Sequence, residues 1–123
     1  MAYTLQWKET GLIREFSGLI DAVEALNANL ELHKHKRFDD LNYIINDFTR
    51  VTEVTISADQ TQAYATSDDM VSLTKGELKI ALLVTDELRP LALAYQQQMI
   101  DSSFSCQIFA TMADAEVWCL ASE

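Results

Sequence analysis

Five polar side chains are the candidates for binding chemistry in this chain: Asp47, Thr49, Thr55, Ser57 and Asp86. Asp47 lies at the end of one apolar run and Asp86 just after another, and such runs are typical of buried strands. The three hydroxyl residues lie between the first run and a predicted helix. Because open α/β sheets bind ligands beyond the carboxyl ends of their strands, we expect these side chains to converge on one functional edge.

Catalysis is not expected at this edge. An enzyme that uses Asp47 would need a second acid, a base or a metal ligand at a compatible spacing, and the sequence offers none. Backbone amides of the following loop can satisfy Asp47, and Asp86 can cap the next helix. The hydroxyl groups have no neighbouring histidine that would act as a base. We predict no catalytic residue, and an enzyme with a cleft around Asp47 is the least favoured alternative.

Metal and nucleotide sites are not expected either. His33 and His35 are the two histidines, and they lack a third ligand nearby and lie among cations, so we expect both to be exposed. Three glycines cannot build a dinucleotide or phosphate loop. Cys106 and Cys119 form no metal or redox motif and are expected to be small buried residues with reduced thiols. We therefore predict no metal and no cofactor.

The charge balance limits the possible partners. The chain has 9 Lys and Arg against 19 Asp and Glu, a net charge of −10, which disfavours binding to nucleic acid and to anionic membranes. The segment 33–37 holds three of the nine cations. It is either a solvated loop after a helix or a docking site for an acidic partner or anion.

Length and the amino terminus indicate a single cytoplasmic domain. A chain of 123 residues can bury one core without disulfides, and three glycines with one proline argue against linkers, so we expect one domain over 1–123. The first residues lack a basic region followed by a long apolar run, which predicts neither export nor a transmembrane segment.

Strand-like and helix-like patterns alternate along the chain and predict an α/β fold. We expect a mixed, mostly parallel five-stranded sheet with about four helices, in which only the first strand is antiparallel. The central strand should end at Asp47 or Phe48 and be covered on both faces. The predicted strands span 3–8, 12–16, 41–48, 78–85 and 106–109, and the predicted helices span 19–32, 57–76, 86–99 and 111–120.

The spacing of apolar residues also predicts which helix faces are buried. The expected core positions are Leu19, Val23, Leu26 and Leu30 in the first helix, Ala63, Met70, Val71 and Leu73 in the second, and Val117, Trp118 and Leu120 in the last. The stripe of the second helix is weak, because residues 67–69 are polar.

The chain resembles the SpoIIAA-like proteins, small bacterial relatives of the STAS domains of anti-anti-sigma factors. The resemblance lies in the element order, the runs LNYIINDF (41–48) and LKIALLV (78–84), the capped helix at Ser57 and the ending FATMADAEVW (109–118). It implies a regulatory, non-enzymatic role, although some relatives with this fold hold lipids. In phosphoregulated STAS proteins an Asp-Ser pair starts the helix after the central strand. That pair falls on Thr55 and Ile56 here, so the motif is not reproduced.

Two binding functions follow from these observations. The leading hypothesis is a module that contacts a protein partner near residues 49–57 and the second helix, where phosphorylation of Ser57 or Thr55 would change the local charge. The alternative is a carrier of a lipid or other small hydrophobic ligand held between a helix and the sheet. A homodimer could form through the aromatic edge strand at 3–8.

Overall fold

The structure of the protein is a computed structural model that describes residues 2–121, and these form one α/β domain. Met1 and residues 122–123, at the ends of the predicted domain 1–123, lie outside the described residues. The strands are β1 (Ala2–Trp7), β2 (Gly11–Asp21), β3 (Tyr43–Thr55), β4 (Leu78–Leu83) and β5 (Phe104–Phe109). The α-helices are α1 (Ala22–Lys34), α2 (Ala58–Lys75), α3 (Arg89–Gln98) and α4 (Met112–Leu120), and a 3₁₀ turn spans Phe38–Asp40.

The five strands form one sheet in chain order, with β3 at its centre. β1 pairs antiparallel with β2, and the remaining neighbours are parallel, which confirms the predicted mixed sheet. Each parallel connection carries a helix. Because such crossovers share one hand, a sheet in chain order places their helices on the same face. Helices α1, α2 and α3 therefore share one face, and α4 lies on the other.

Alternation along β3 divides the core between the two faces. Ile44 belongs to the large cluster under α1, α2 and α3, whereas Tyr43 and Ile45 pack with Ala115 and Cys119 of α4. Gly11 at the start of β2 lies against the ring of Tyr43, where an added Cβ would come within 2.1 Å of a ring carbon. The inner strand is covered on both sides, as its apolar composition predicts.

Two strands are longer than predicted. β2 continues past Gly18 to Asp21, and β3 continues to Thr55, although β4 pairs with β3 only from Tyr43 to Asp47. Gly18 adopts a φ of +75° next to a register shift, so this glycine bends the strand without ending it. The predicted loop after Phe48 was therefore wrong, and β2 and β3 project together beyond the rest of the sheet.

The predicted helix faces were also wrong in part. Leu19 belongs to β2, since α1 begins only after Asp21, which caps it by accepting a hydrogen bond of 2.8 Å from the Glu24 amide. Met70 and Leu73 are 66% and 83% exposed. The buried positions of α1 and α2 are instead small or polar, apart from one leucine: Ala28, Asn29 and Leu32 in α1, and Thr61, Ala65, Asp68 and Ser72 in α2.

Two further details of the helices differ from expectation. Val117 and Leu120 point to solvent, because Ala115 and Cys119 are the α4 residues that face the sheet. Leu88, and not Asp86, is the N-cap of α3, and no side chain caps this helix. The capping box at Ser57 is confirmed, with Gln60 as its second member.

Candidate functional site

An apolar pocket of about 240 Å³ opens between the sheet and the layer of helices α1, α2 and α3. Phe48 and Val54 of β3 line its sheet side, Val23 and Leu26 line it from α1, and Leu91 from α3. The pocket lies toward the carboxyl ends of the parallel strands, which is the end where the sequence predicts a ligand.

Small residues leave this space unfilled. Four alanines line the pocket: Ala22, Ala25, Ala63 and Ala92. Val23 and Leu26 are expected core residues of α1, but they face the pocket, and Val23 is 69% exposed. An apolar side chain at the rim of an open pocket would lose contact with water when a ligand entered.

One wall of the pocket is aromatic. The rings of Phe16 and Phe48 stack with centroids 4.9 Å apart and planes 12° from parallel. Tyr64 and Tyr95 meet edge to face at 5.9 Å, and both also line the pocket. Aromatic rings provide large rigid surfaces, and the tyrosine hydroxyls add hydrogen-bonding groups to an otherwise apolar site.

A buried arginine lies directly behind this wall. Arg14, in the middle of β2, is 2% exposed. Its Nε donates to Oδ1 of Asn46 at 2.8 Å, and Nη2 donates to Oδ1 of Asn29 at 3.4 Å. Nη1 has no hydrogen-bond partner among the described residues. The guanidinium carbon lies 5.4 Å from the centroid of the Phe16 ring.

The negative charge of this network is Asp68 on α2. Its Oδ1 accepts from Nδ2 of Asn29 at 2.6 Å and lies 3.1 Å from Nε2 of His33, while Oδ2 accepts from the Tyr95 hydroxyl at 2.6 Å. The amide of Asn29 therefore bridges Arg14 and Asp68. Within residues 2–121, no carboxylate forms a direct ion pair with Arg14.

Burial and these charges shift the pKa values of both tyrosines. Desolvation raises the pKa of Tyr64 to about 12, an effect that Arg14 opposes and Asp68 reinforces. Desolvation, followed by the nearby charge of Asp68, raises the pKa of Tyr95. Both hydroxyls are therefore neutral at physiological pH. Tyr95 uses its single donor for Asp68, whereas the Tyr64 hydroxyl is suited to contact a polar group of a ligand.

The predicted binding residues lie around the pocket without lining it. Asp47 lies two residues after Ile45 on β3, so its side chain is on the same face of the sheet as Tyr43 and Ile45, the face that α4 covers. Its Oδ1 accepts hydrogen bonds from the Thr49 amide at 2.9 Å and from the Thr49 hydroxyl at 2.7 Å. Thr55 and Asp86 are exposed, and Ser57 caps α2. The structure does not bring these five side chains together into one cluster, and their role in binding stays a prediction.

Sequence reasoning missed Arg14, Asn46 and Asp68, although each carries a signal. Arg14 interrupts the apolar run of β2, and Asn46 lies inside the run that predicts the central strand. A charged or amide side chain inside a buried strand needs a partner, and that requirement could have identified the network.

Three side chains of the basic segment 33–37 pack against other parts of the protein. His33 contacts Asp68 and Phe38, and the ring of His35 stacks on Trp7 at 4.5 Å, so neither histidine is fully exposed and that prediction was wrong. The guanidinium of Arg37 lies 4.7 Å from the Trp7 ring. No group of three or more potential metal ligands occurs within residues 2–121.

Both cysteines carry free thiols, with Cys119 buried, as predicted, and Cys106 half-buried. Desolvation raises their pKa values, to about 12 for Cys106 and about 11 for Cys119. Such thiols are poor nucleophiles near neutral pH. No helix in the described part of the chain is both long and apolar enough to cross a membrane.

Comparison with known proteins identifies the fold. No protein-family model and no curated protein matches the sequence. An uncharacterized DUF3478-family protein with a SpoIIAA-like fold from Shewanella loihica PV-4 is 15% identical, with a TM-score of 0.57 over 96% of this chain and 92% of that one. The unphosphorylated anti-sigma factor antagonist SpoIIAA is 12% identical, with a TM-score of 0.57 over 94% of each chain. The chain has a SpoIIAA-like fold, as its sequence resemblance predicts.

Proposed function

We propose that this SpoIIAA-like domain is a binding module that holds a small apolar or amphipathic molecule between the sheet and helices α1, α2 and α3. The observation that carries the proposal is the open pocket of about 240 Å³ with mainly apolar walls. Ligand sites are typically concave and apolar, with a few convergent polar groups. Asn46, Tyr64 and Tyr95 are such groups here.

The size of the pocket limits the ligand. A cavity of about 150 Å³ holds benzene, so this pocket accommodates on the order of ten non-hydrogen atoms. Burial contributes about 0.8 kcal/mol per methylene, and the loss of translational and rotational freedom opposes it. Eight methylenes contribute about 6.4 kcal/mol before that cost, so an eight-carbon chain is expected to bind with a Kd no lower than about 20 µM.

Binding of a neutral apolar dye tests this function. 1-Naphthylamine, a neutral fluorophore of about eleven non-hydrogen atoms, suits a pocket of this size and should change its fluorescence with the wild-type protein. Ala63→Phe should reduce its affinity by about tenfold, because the larger side chain would fill space in the pocket that Ala63 lines. Ala94→Phe is the matched control, since Ala94 is an exposed residue of α3 outside the pocket lining.

Absence of dye binding to the wild type would contradict the proposal, and so would equal affinity of Ala63→Phe and Ala94→Phe. Native mass spectrometry of freshly purified protein provides an independent measurement. It is expected to detect a bound small molecule that is lost on denaturation.

A protein partner is the second candidate, favoured by the apolar residues exposed on α2. Met70 and Leu73 lie on the outer side of the helix that Ser57 caps. The similar protein SpoIIAA is an anti-sigma factor antagonist, which supports a protein-binding role for the fold. A phosphoryl group on Ser57 would place negative charge at the amino end of α2 and change docking there.

Affinity capture separates this candidate from ligand binding. Met70→Ser with Leu73→Ser should abolish retrieval of a specific partner, and Ser57→Glu should reduce it. The control pair is Val117→Ser with Leu120→Ser, because these residues are similarly exposed on α4, across the sheet. Equal retrieval by all variants would remove α2 as the docking surface.

A further inference from the structure

The buried guanidinium of Arg14 has more hydrogen-bonding capacity than the protein uses. A guanidinium carries five N–H donors, and in this network two of its nitrogens donate to neutral amide oxygens of Asn46 and Asn29. Nη1 is buried without a partner. An unpaired buried donor is costly, above all on a charged group, so a group that can accept its hydrogen bond would stabilise this site.

The unsatisfied donor lies next to the pocket. Three of the four residues that adjoin the guanidinium line the pocket: Phe16 beneath it, Asn46 bonded to Nε, and Tyr64, whose hydroxyl interacts with Arg14. The fourth, Asn29, does not line the pocket, and Arg14 itself lies behind the lining residues. Oδ1 of Asn46 accepts the hydrogen bond from Arg14. Nδ2 of the same amide remains available as a donor at the wall of the pocket. The inner end of the pocket is therefore rich in donors.

The carboxylate of Asp68 does not supply what Arg14 lacks. Its two oxygens are occupied by Asn29, Tyr95 and His33, and the Asn29 amide lies between it and Arg14. Asp68 balances the formal charge of Arg14 within the buried layer, but it does not accept a hydrogen bond from the guanidinium. The guanidinium therefore has no carboxylate acceptor among residues 2–121, and its positive charge remains available to attract an anion in the adjoining pocket.

We propose that the ligand of this pocket is an amphipathic carboxylate, with its alkyl chain against the apolar walls and its carboxylate at the inner end, facing Asn46 and Tyr64, with the positive charge of Arg14 directly behind them. This inference rests on the proposed ligand-binding function and specifies the chemistry of the ligand. A carboxylate accepts several charge-assisted hydrogen bonds, which arginine and neutral donors provide together. Octanoate has the size that the pocket allows, about ten non-hydrogen atoms.

The test compares octanoate with 1-octanol, which has the same chain and no charge. By isothermal titration calorimetry, the wild type should bind octanoate at least about tenfold more tightly than 1-octanol, since charge-assisted hydrogen bonds contribute more than neutral ones. Arg14→Met should lose this preference and keep its affinity for 1-octanol. Methionine fills a similar volume without a charge, but it leaves Asp68 buried without the opposite charge of Arg14, so this variant is expected to be less stable than the wild type.

Arg50→Met is the matched control, because Arg50 is an exposed arginine of β3 outside the pocket lining. It should retain the preference for octanoate. If Arg14→Met does not fold, the interaction can be tested on the wild-type protein, by ¹³C NMR measurement of the pKa of carboxyl-labelled octanoate when it is bound. The bound carboxyl should titrate at a lower pH than free octanoate, because a nearby guanidinium stabilises the ionised form.

The outcomes separate this inference from the function on which it rests. Equal wild-type affinity for octanoate and 1-octanol, or an unshifted carboxyl titration, overturns the carboxylate and leaves the apolar pocket standing. Binding of the neutral dye without binding of octanoate would also overturn the carboxylate and leave the apolar pocket standing. Failure of all three probes overturns both proposals.

Discussion

Asp68 is the residue on which the buried polar network depends. It is the only buried carboxylate of the described residues, and three side chains from two elements converge on it: Asn29 and His33 of α1 and Tyr95 of α3. Buried polar groups are stable only when they are fully paired. The network therefore specifies how α1, α2 and α3 pack on one another.

Replacing this carboxylate should destabilise the protein strongly. Asp68→Ala is expected to lower the free energy of unfolding by about 3 kcal/mol, since Asn29 and Tyr95 lose their acceptor and Arg14 loses the buried opposite charge. Urea unfolding measures the change. Asp69→Ala is the control, because Asp69 is exposed on the same helix, and it should change stability by less than about 0.5 kcal/mol. Equal effects of the two changes would show that the network contributes no stability.

At the scale of elements, α2 combines a strong amino-terminal signal with an unusual buried face. Ser57 and Gln60 exchange hydrogen bonds in a capping box, with Ser57 Oγ accepting at 3.1 Å and the Ser57 amide donating at 2.9 Å. The helix then turns Asp68 and Ser72 inward and Met70 and Leu73 outward. Local sequence therefore decides where α2 begins, and tertiary hydrogen bonds decide how it is rotated.

Removing the Ser57 side chain tests how much the N-cap of α2 contributes to the stability of the protein. Ser57→Ala should cost about 1 kcal/mol of stability, because an amide of the first turn loses its acceptor. Ser57→Asp is the control, since aspartate caps as well as serine and also suits the positive end of the helix dipole. Thermal unfolding of the three proteins gives the comparison. A Ser57→Asp variant as unstable as Ser57→Ala would contradict the capping role.

At the scale of the whole molecule, the one-sided arrangement of the crossover helices creates the pocket. Three helices share one sheet face and meet over the extended ends of β2 and β3, where alanines from α1, α2 and α3 line the space beneath them. The opposite face carries α4, whose Ala115 and Cys119 pack closely on the sheet. The two faces thus differ in packing, because one carries an open pocket and the other is closely packed.

Alkaline pH should destabilise the molecule as a whole. Burial raises the pKa values of Cys106 from 9.0 to about 12, Cys119 from 9.0 to about 11 and Tyr64 from 10.0 to about 12. The unfolded chain loses these protons from about pH 9, whereas the native state keeps them. Stability is therefore fully present below pH 9 and falls as the pH rises from about 9 to 12.

Urea unfolding between pH 8 and pH 11 measures this decline. The double variant Cys106→Ala with Cys119→Ala should show a shallower decline between pH 9 and pH 10, where thiols and not phenols titrate in the unfolded chain. A profile identical to that of the wild type would contradict the contribution of the buried thiols.

The sequence by itself determined the element order, the mixed sheet, the central position of β3 and the starts of α2 and α4 at their caps. These features depend on neighbouring residues: apolar runs favour buried strands, and capping residues satisfy amides within the same turn. The parallel pairing followed because strands separated by helices are joined by crossover connections, whereas the order of the strands was known only from the structure.

Only the tertiary structure decided the helix faces, the buried network and the pocket. Whether Asn29 and Asp68 face inward depends on Arg14, which lies on a different element and satisfies Asn29 through space. Periodicity ranks residues by hydrophobicity, so it assigned Val23 and Leu73 to the core and Asp68 to solvent. A hydrogen-bonded polar core reverses that ranking, because the partners of a polar group offset the cost of removing it from water.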